Sequence, residues 1–208
     1  MASQVARGKL ARAARALNAR ARSDLPALIL MTDERRIANA LGSARLLPKG
    51  SAIILRHTEP HARAELGAGL MRIARARGLK LLVAGDSALA ARIGAHGLHL
   101  SEARAKESRH WKARRPDWLV TAAAHSAHAV SMAALSGADA MLLAPVFPTA
   151  SHRERATLGP LRALMIARAS LIPVYALGGV NATTIARLGG APIAGIAAIE
   201  GLAPDHSE

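Results

Sequence analysis

Nine histidines, fourteen carboxylates and no cysteine set the chemistry open to this chain. Without a thiol there is no disulfide, no thiolate zinc site and no cysteine nucleophile. The imidazole best placed for work is His125, in the run Ala122-Ala123-Ala124-His125-Ser126. A histidine at the end of an apolar run can serve as general acid or base near neutral pH. The plain alternative is a neighbour of a helix cap, but Ser126 is the better cap for the stretch from Ala127. His99, inside another apolar run, reads as a buried, hydrogen-bonded structural residue.

Other residue types point to anions. In Leu177-Gly178-Gly179-Val180-Asn181 two glycines let backbone N–H groups approach a phosphate, and a following helix start would add its dipole. The alternative there is a tight strand-to-helix turn. The loop Pro145–Arg155 carries hydroxyls at Thr149 and Ser151, with His152, Arg153 and Arg155 beside them. It can wrap an anionic substrate or simply be a solvated loop. Asp33 and Asp86 are isolated carboxylates on different loops, and Asp86 is the better candidate to touch a metal. Magnesium wants several oxygen ligands in near-octahedral order, which two lone carboxylates on different loops do not supply.

These residues gain a common location from the elements around them. Eight short apolar runs recur: Ala27–Met31, Ala52–Leu55, Leu81–Ala84, Gly97–Leu100, Trp118–Ala122, Ala140–Ala144, Pro173–Leu177 and Ile193–Ala197. None alternates in polarity, which marks strands buried on both faces. Helical stretches separate them at His61–Arg77, Ala88–Ile93, Ala103–Arg114, Ala127–Leu135, Pro160–Ala169 and Ala182–Leu188, with a weaker one at Arg35–Leu41. Such alternation gives parallel strands with crossover helices. An open doubly wound sheet is allowed, but a compact (β/α)8 TIM barrel leaves no exposed edge and is the expected fold. In it, the loops after the strands gather at one mouth, where barrel chemistry sits.

The charge is lopsided, with 28 Lys+Arg against 14 Asp+Glu and a net +14. That balance raises the prospect of a nucleic-acid partner. Arginines spread through Ala- and Leu-rich stretches instead suit the wet faces of amphipathic helices. Only four aromatic residues, Trp111, Trp118, Phe147 and Tyr175, are available to stack on bases, which makes nucleic acid a poor fit. The reading divides the chain into a basic N-terminal helical extension (1–24), the barrel (25–202) and a tail (203–208). The acid-free first 22 residues resemble a transit peptide or an ordinary basic helix. No apolar run approaches membrane length, and with no secretory core the expected location is the cytoplasm. Oligomeric state is left open, with a homodimer allowed.

An ordered series of segments resembles the superfamily of thiamine phosphate synthase and its TenI-like thiazole tautomerase relatives. They are Leu28-Ile29-Leu30-Met31-Thr32-Asp33, Gly94-Ala95-His96-Gly97-Leu98-His99-Leu100, Gly137-Ala138-Asp139 through Pro145-Val146-Phe147-Pro148-Thr149, and Ala176-Leu177-Gly178-Gly179-Val180. The resemblance implies a barrel that binds a thiazole phosphate carboxylate. The synthase joins it to a pyrimidine diphosphate with magnesium. Its Gln-x-Arg-x-Lys motif falls on Ile54-Leu55-Arg56-His57-Thr58, where only Arg56 matches. Its Asn-Asp-Arg falls on Ala84-Gly85-Asp86 without a gap, or puts Asp86 on the metal aspartate with one. Its Gly-Gln-x-Asp metal motif falls on Ser101-Glu102-Ala103-Arg104, a cation in place of a carboxylate.

The thiazole-phosphate half matches better, through Thr149, Ser151, Gly178, Gly179 and the backbone of Ile196-Ala197, with His152 at the position of a family lysine. His125 matches the tautomerase's proposed proton-transfer residue. The pattern therefore implies tautomerase-type proton transfer on a small thiazole phosphate, with no cofactor required. The alternatives are a diverged thiamine phosphate synthase, which would need Mg2+, and a non-catalytic phosphate-ligand binder or regulator.

Overall fold

The structure, a computed structural model, describes residues 3–149, 156–190 and 192–203. The eight apolar runs become β1 (Leu28–Met31), β2 (Ala52–Leu55), β3 (Lys80–Ala84), β4 (Gly97–Leu100), β5 (Leu119–Ala124), β6 (Ala140–Leu143), β7 (Val174–Ala176) and β8 (Ile193–Ala198). They pair in parallel in chain order, and β8 returns to β1 through Leu28↔Ile196 and Ile29↔Ala197. The sheet is a closed barrel. Both faces of most strands are buried, one on the barrel interior and one under the helices, which is why the sequence shows no alternation.

The helical layer is α1 (Gln4–Ala21), α2 (Ala40–Arg45), α3 (Pro60–Arg77), α4 (Ser87–Ile93), α5 (Ser108–Arg114), α6 (Ala127–Leu135) and α7 (Gly159–Ala169). Three stretches depart from the pattern reading. The helix expected at Arg35–Leu41 forms later, because Asn39 caps α2 by accepting from Gly42 N at 2.7 Å. Ahead of it, Asp33 takes the Arg35 N–H and holds a turn. The stretch Ala103–Arg114 splits into a 3-10 turn at Glu102–Glu107 followed by α5. Ala182–Leu188 shrinks to a 3-10 turn at Ile185–Leu188, since the Asn181 side chain accepts from the N–H groups of both Thr183 and Thr184.

The basic N-terminal helix is packed against the barrel. Its buried stripe, Leu10, Ala11, Ala14 and Leu17, joins the core. Asn18 Nδ2 donates to the carbonyls of Leu25 at 3.0 Å and Ala194 at 2.6 Å, tying α1 to the strand that closes the barrel. Tyr175, one of the few aromatic residues, is buried with its hydroxyl donating to Pro26 O at 2.8 Å. Among the described residues no helix is long and apolar enough to cross a membrane.

Candidate active site at the barrel mouth

A cavity of about 610 Å³ opens where the loops after β6, β7, β8, β1 and β2 meet. Its floor is the Gly178-Gly179 turn. Both glycines have positive φ, +90° and +64°, and a Cβ at Gly179 would lie 2.4 Å from Pro148 O. Only glycine fits that turn. The turn is pinned from the opposite side, with Val146 N donating to Leu177 O, Phe147 N to Gly178 O and Thr184 Oγ1 to Gly179 O. Among the described residues, nothing accepts from the backbone N–H groups of Gly179, Ile199 and Glu200. Unspent N–H groups around a glycine turn after β7 and β8 form the place where such barrels hold phosphate.

The opposite rim is cationic. Arg36 and Arg56 line the cavity. Asp33 lies between them, accepting from Arg36 Nη2 at 2.9 Å and Arg56 Nη2 at 3.4 Å. Burial pushes the Asp33 carboxyl up, but the Arg36 bond and charge, the Arg35 N–H and Arg56 outweigh it and hold Asp33 below its usual value. Thr32, fully buried, accepts from Arg56 N and meets His57 Nδ1 at 3.1 Å.

His125 follows β5 and stands on Glu102, which follows β4. The Glu102 Oε2 accepts from His125 N at 2.7 Å and faces His125 Nδ1 at 2.8 Å. Adjacent parallel strands bring the two residues side by side. With a carboxylate on Nδ1, that nitrogen carries the proton and Nε2 is the atom open to a substrate. His125 does not line the cavity. It adjoins its wall, because Ala124 O accepts from the N–H of Ala144, a wall residue. His99 is buried, its Nδ1 3.0 Å from Thr121 Oγ1, and burial foremost, with Arg56, lowers its pKa to about 4.

The structure thus gathers Arg56, Thr149, Gly178, Gly179 and Ala197 along one cavity. Ile196 is wholly buried within β8 and does not reach it. Ser151 and His152 lie outside the described residues. Asp86 is the N-cap of α4, accepting from Leu89 N at 2.8 Å, so its carboxylate serves the helix. Arg104 stands beside it, with Nη1 on Gly85 O at 2.7 Å. Among the described residues no three carboxylates or histidines group as metal ligands. Among the described residues, a helix-capping Asp86 beside the cation Arg104 does not fit a magnesium ion.

Sequence reasoning missed Arg36, the Glu102–His125 pair and the part α1 plays, through Ser3 and Ala6, in walling the cavity. The pair was legible in principle, since consecutive parallel strands must end side by side.

A closed parallel barrel whose mouth carries a glycine turn, unspent N–H groups and facing arginines defines a (β/α)8 barrel with a mouth chemically suited to an anion. The chain belongs to the thiamine monophosphate synthase (TMP-TENI) family, whose model matches residues 9–202. It is 31% identical over 189 residues to the thiamine-phosphate synthase of Thioalkalivibrio sulfidiphilus, covering 86% of this chain and 83% of that one. It is 32% identical over 136 residues to that of Geobacillus kaustophilus, covering 62% and 61%. The matched stretch spans 54% of a Methanoculleus marisnigri relative, little more than half its length. Among solved structures, a thiamine phosphate pyrophosphorylase from Pyrococcus furiosus superposes with a TM-score of 0.69 at 26% identity, covering 83% and 84% of the two chains.

Proposed function

We propose that this family member binds a small thiazole phosphate carboxylate and moves a proton on it. The ligand phosphate rests on the N–H groups of Gly179, Ile199 and Glu200, and Arg36 and Arg56 face its second anionic group. Thr149, a further wall residue, orients it. The observation that carries the reading is the Glu102–His125 pair, which adjoins the cavity through the Ala124–Ala144 contact behind its wall. Nε2 of His125 takes a proton from one carbon of the non-aromatic thiazole tautomer, and a proton is returned at another. The ring becomes aromatic, no leaving group departs, and the reaction is an isomerisation that needs no metal.

A second reading is the synthase's coupling of this thiazole to a pyrimidine diphosphate. It is favoured by the names of the relatives above, which are synthases, and opposed by the arginine and the helix cap at the metal corner. Both are tested with purified protein. Aromatisation of the tautomer, followed by ultraviolet absorbance, falls by about 10²–10⁴ in His125→Ala, the range lost with a general acid–base. Robust formation of thiamine phosphate from the two substrates and magnesium would overturn the proton-transfer reading. Binding of the thiazole phosphate without either reaction would make the chain a non-catalytic ligand binder.

A further inference from the structure

Two stretches of the sequence that contain no acid come together on one side of the barrel. No Asp or Glu occurs in residues 3–23 or 156–199, which carry six and three Lys or Arg. The first stretch folds as α1, and the second holds α7, β7, the 3-10 turn at Ile185–Leu188 and β8. That turn packs against both α1 and α7, so the three are neighbours around the barrel. At the foot, the end opposite the mouth, the two helices converge on one loop. Arg168 Nη2 donates to Gly190 O at 2.7 Å, and Arg20 Nη1 lies 3.7 Å from where a Cβ on Gly189 would stand.

The charge on this side is uncompensated. Lys9, Arg12, Arg15, Arg20 and Arg162 are exposed and form no ion pair among the described residues. Arg187 lies 5.5 Å from the centre of the Phe147 ring, which leaves its charge in place. The acids that bound the two stretches sit at the ends of this side, Asp24 ahead of β1 at the foot and Glu200 after β8 at the mouth. Glu154 lies outside the described residues.

Apolar side chains project among these cations. Leu171, Val5 and Leu161, at 87%, 79% and 73%, are the most exposed large apolar residues among those described. Leu161, Met165 and Arg168 share one face of α7, and Val5, Lys9 and Arg12 share one face of α1, by helical spacing. Water penalises apolar groups held out in this way, whereas a surface that is anionic outside and hydrocarbon beneath accepts both residue types. A second copy of the chain is disfavoured, since two such faces repel. Nucleic acid matches the charge alone: Phe147 and Tyr175 are buried, so this side offers no ring to stack on a base.

We propose that the α1–α7 side docks on an anionic lipid surface, with the arginines at the headgroup phosphates and Val5, Leu161, Met165 and Leu171 entering the acyl boundary. The proposal does not rest on the proton-transfer reading.

The test is co-sedimentation of the full chain, at physiological salt, with vesicles of phosphatidylglycerol and phosphatidylcholine in a ratio of about 1:2, and with phosphatidylcholine alone. Binding is expected on the anionic vesicles only. Arg12→Gln combined with Arg15→Gln should weaken it about tenfold or more, and Leu171→Ser about threefold. Arg92→Gln combined with Arg114→Gln removes the same charge from α4 and α5 and should stay within about twofold of the parent. Equal losses in the two double variants would mean that net charge, not this face, draws the chain to lipid, and would overturn the proposal. So would equal binding to both kinds of vesicle. Absence of binding to the anionic vesicles, with a duplex DNA shifted instead, would assign the face to nucleic acid and overturn it as well. The parent titration needs no variant, so a variant that fails to fold does not rescue the idea.

Discussion

Acid should weaken this barrel through one residue inside its wall. His99 is buried on β4 against Thr121, with its pKa lowered to about 4 from the ordinary histidine value of about 6.5. Because the folded value is the depressed one, the stabilisation is complete above about pH 6.5 and is lost as pH falls toward 4. Between those values the unfolded chain binds a proton that the folded chain refuses. Linkage converts a shift of this size into about 2 kcal/mol lost between pH 7.5 and 5.0. For a domain of this size that is roughly 4–8 °C in Tm. His57 and His96 are also lowered, chiefly by burial, and add in the same direction. The contribution of His99 is therefore read as a difference. Urea denaturation of the parent and of His99→Gln at the two pH values should show the variant losing about 2 kcal/mol less. NMR titration of the folded parent should find this imidazole neutral down to below pH 5. Equal losses in parent and variant would refute the reasoning.

Two further outcomes follow from the cavity and its wall. Gly179→Ala places a Cβ against Pro148 O at a φ of +64°. The loop must shift, so affinity for the thiazole phosphate should fall at least tenfold by titration, with the barrel's circular dichroism retained. Leu10→Ala removes a fully buried side chain from the α1 face. It should cost about 2–5 kcal/mol in denaturation and, because α1 walls the cavity, also weaken ligand binding.

The barrel was legible because burial on both faces leaves its mark on every strand, and the observed strands differ from the apolar runs by two residues or fewer at each end. Helix positions were less secure where side chains compete with the helix for backbone groups. Asn181 and Asn39 each moved a start, and neither effect shows in hydrophobic periodicity. The glycine turn was readable from residue type and place in the fold. Arg36 was not, since nothing in a chain so rich in arginine separates a rim cation from a solvated one until Asp33 is seen between Arg36 and Arg56. Asp86 shows the converse limit: a lone carboxylate after a strand suits a metal or a helix cap equally well, and only the bond to Leu89 N decides.

The wall built by α1 also bears on when the cavity can exist. Ser3 and Ala6 meet Ala197–Gly201 there, so the pocket joins segments from the two ends of the sequence. Contacts of such long sequence separation are the slow ones to form. A folding chain can build β2 to β6 by adding neighbour to neighbour, yet it has no ligand cavity until β8 reaches β1 and the first helix settles on it. Ligand binding therefore reports the closed barrel with its first helix docked, and a phosphate ligand added during refolding should leave the folding rate unchanged while slowing unfolding.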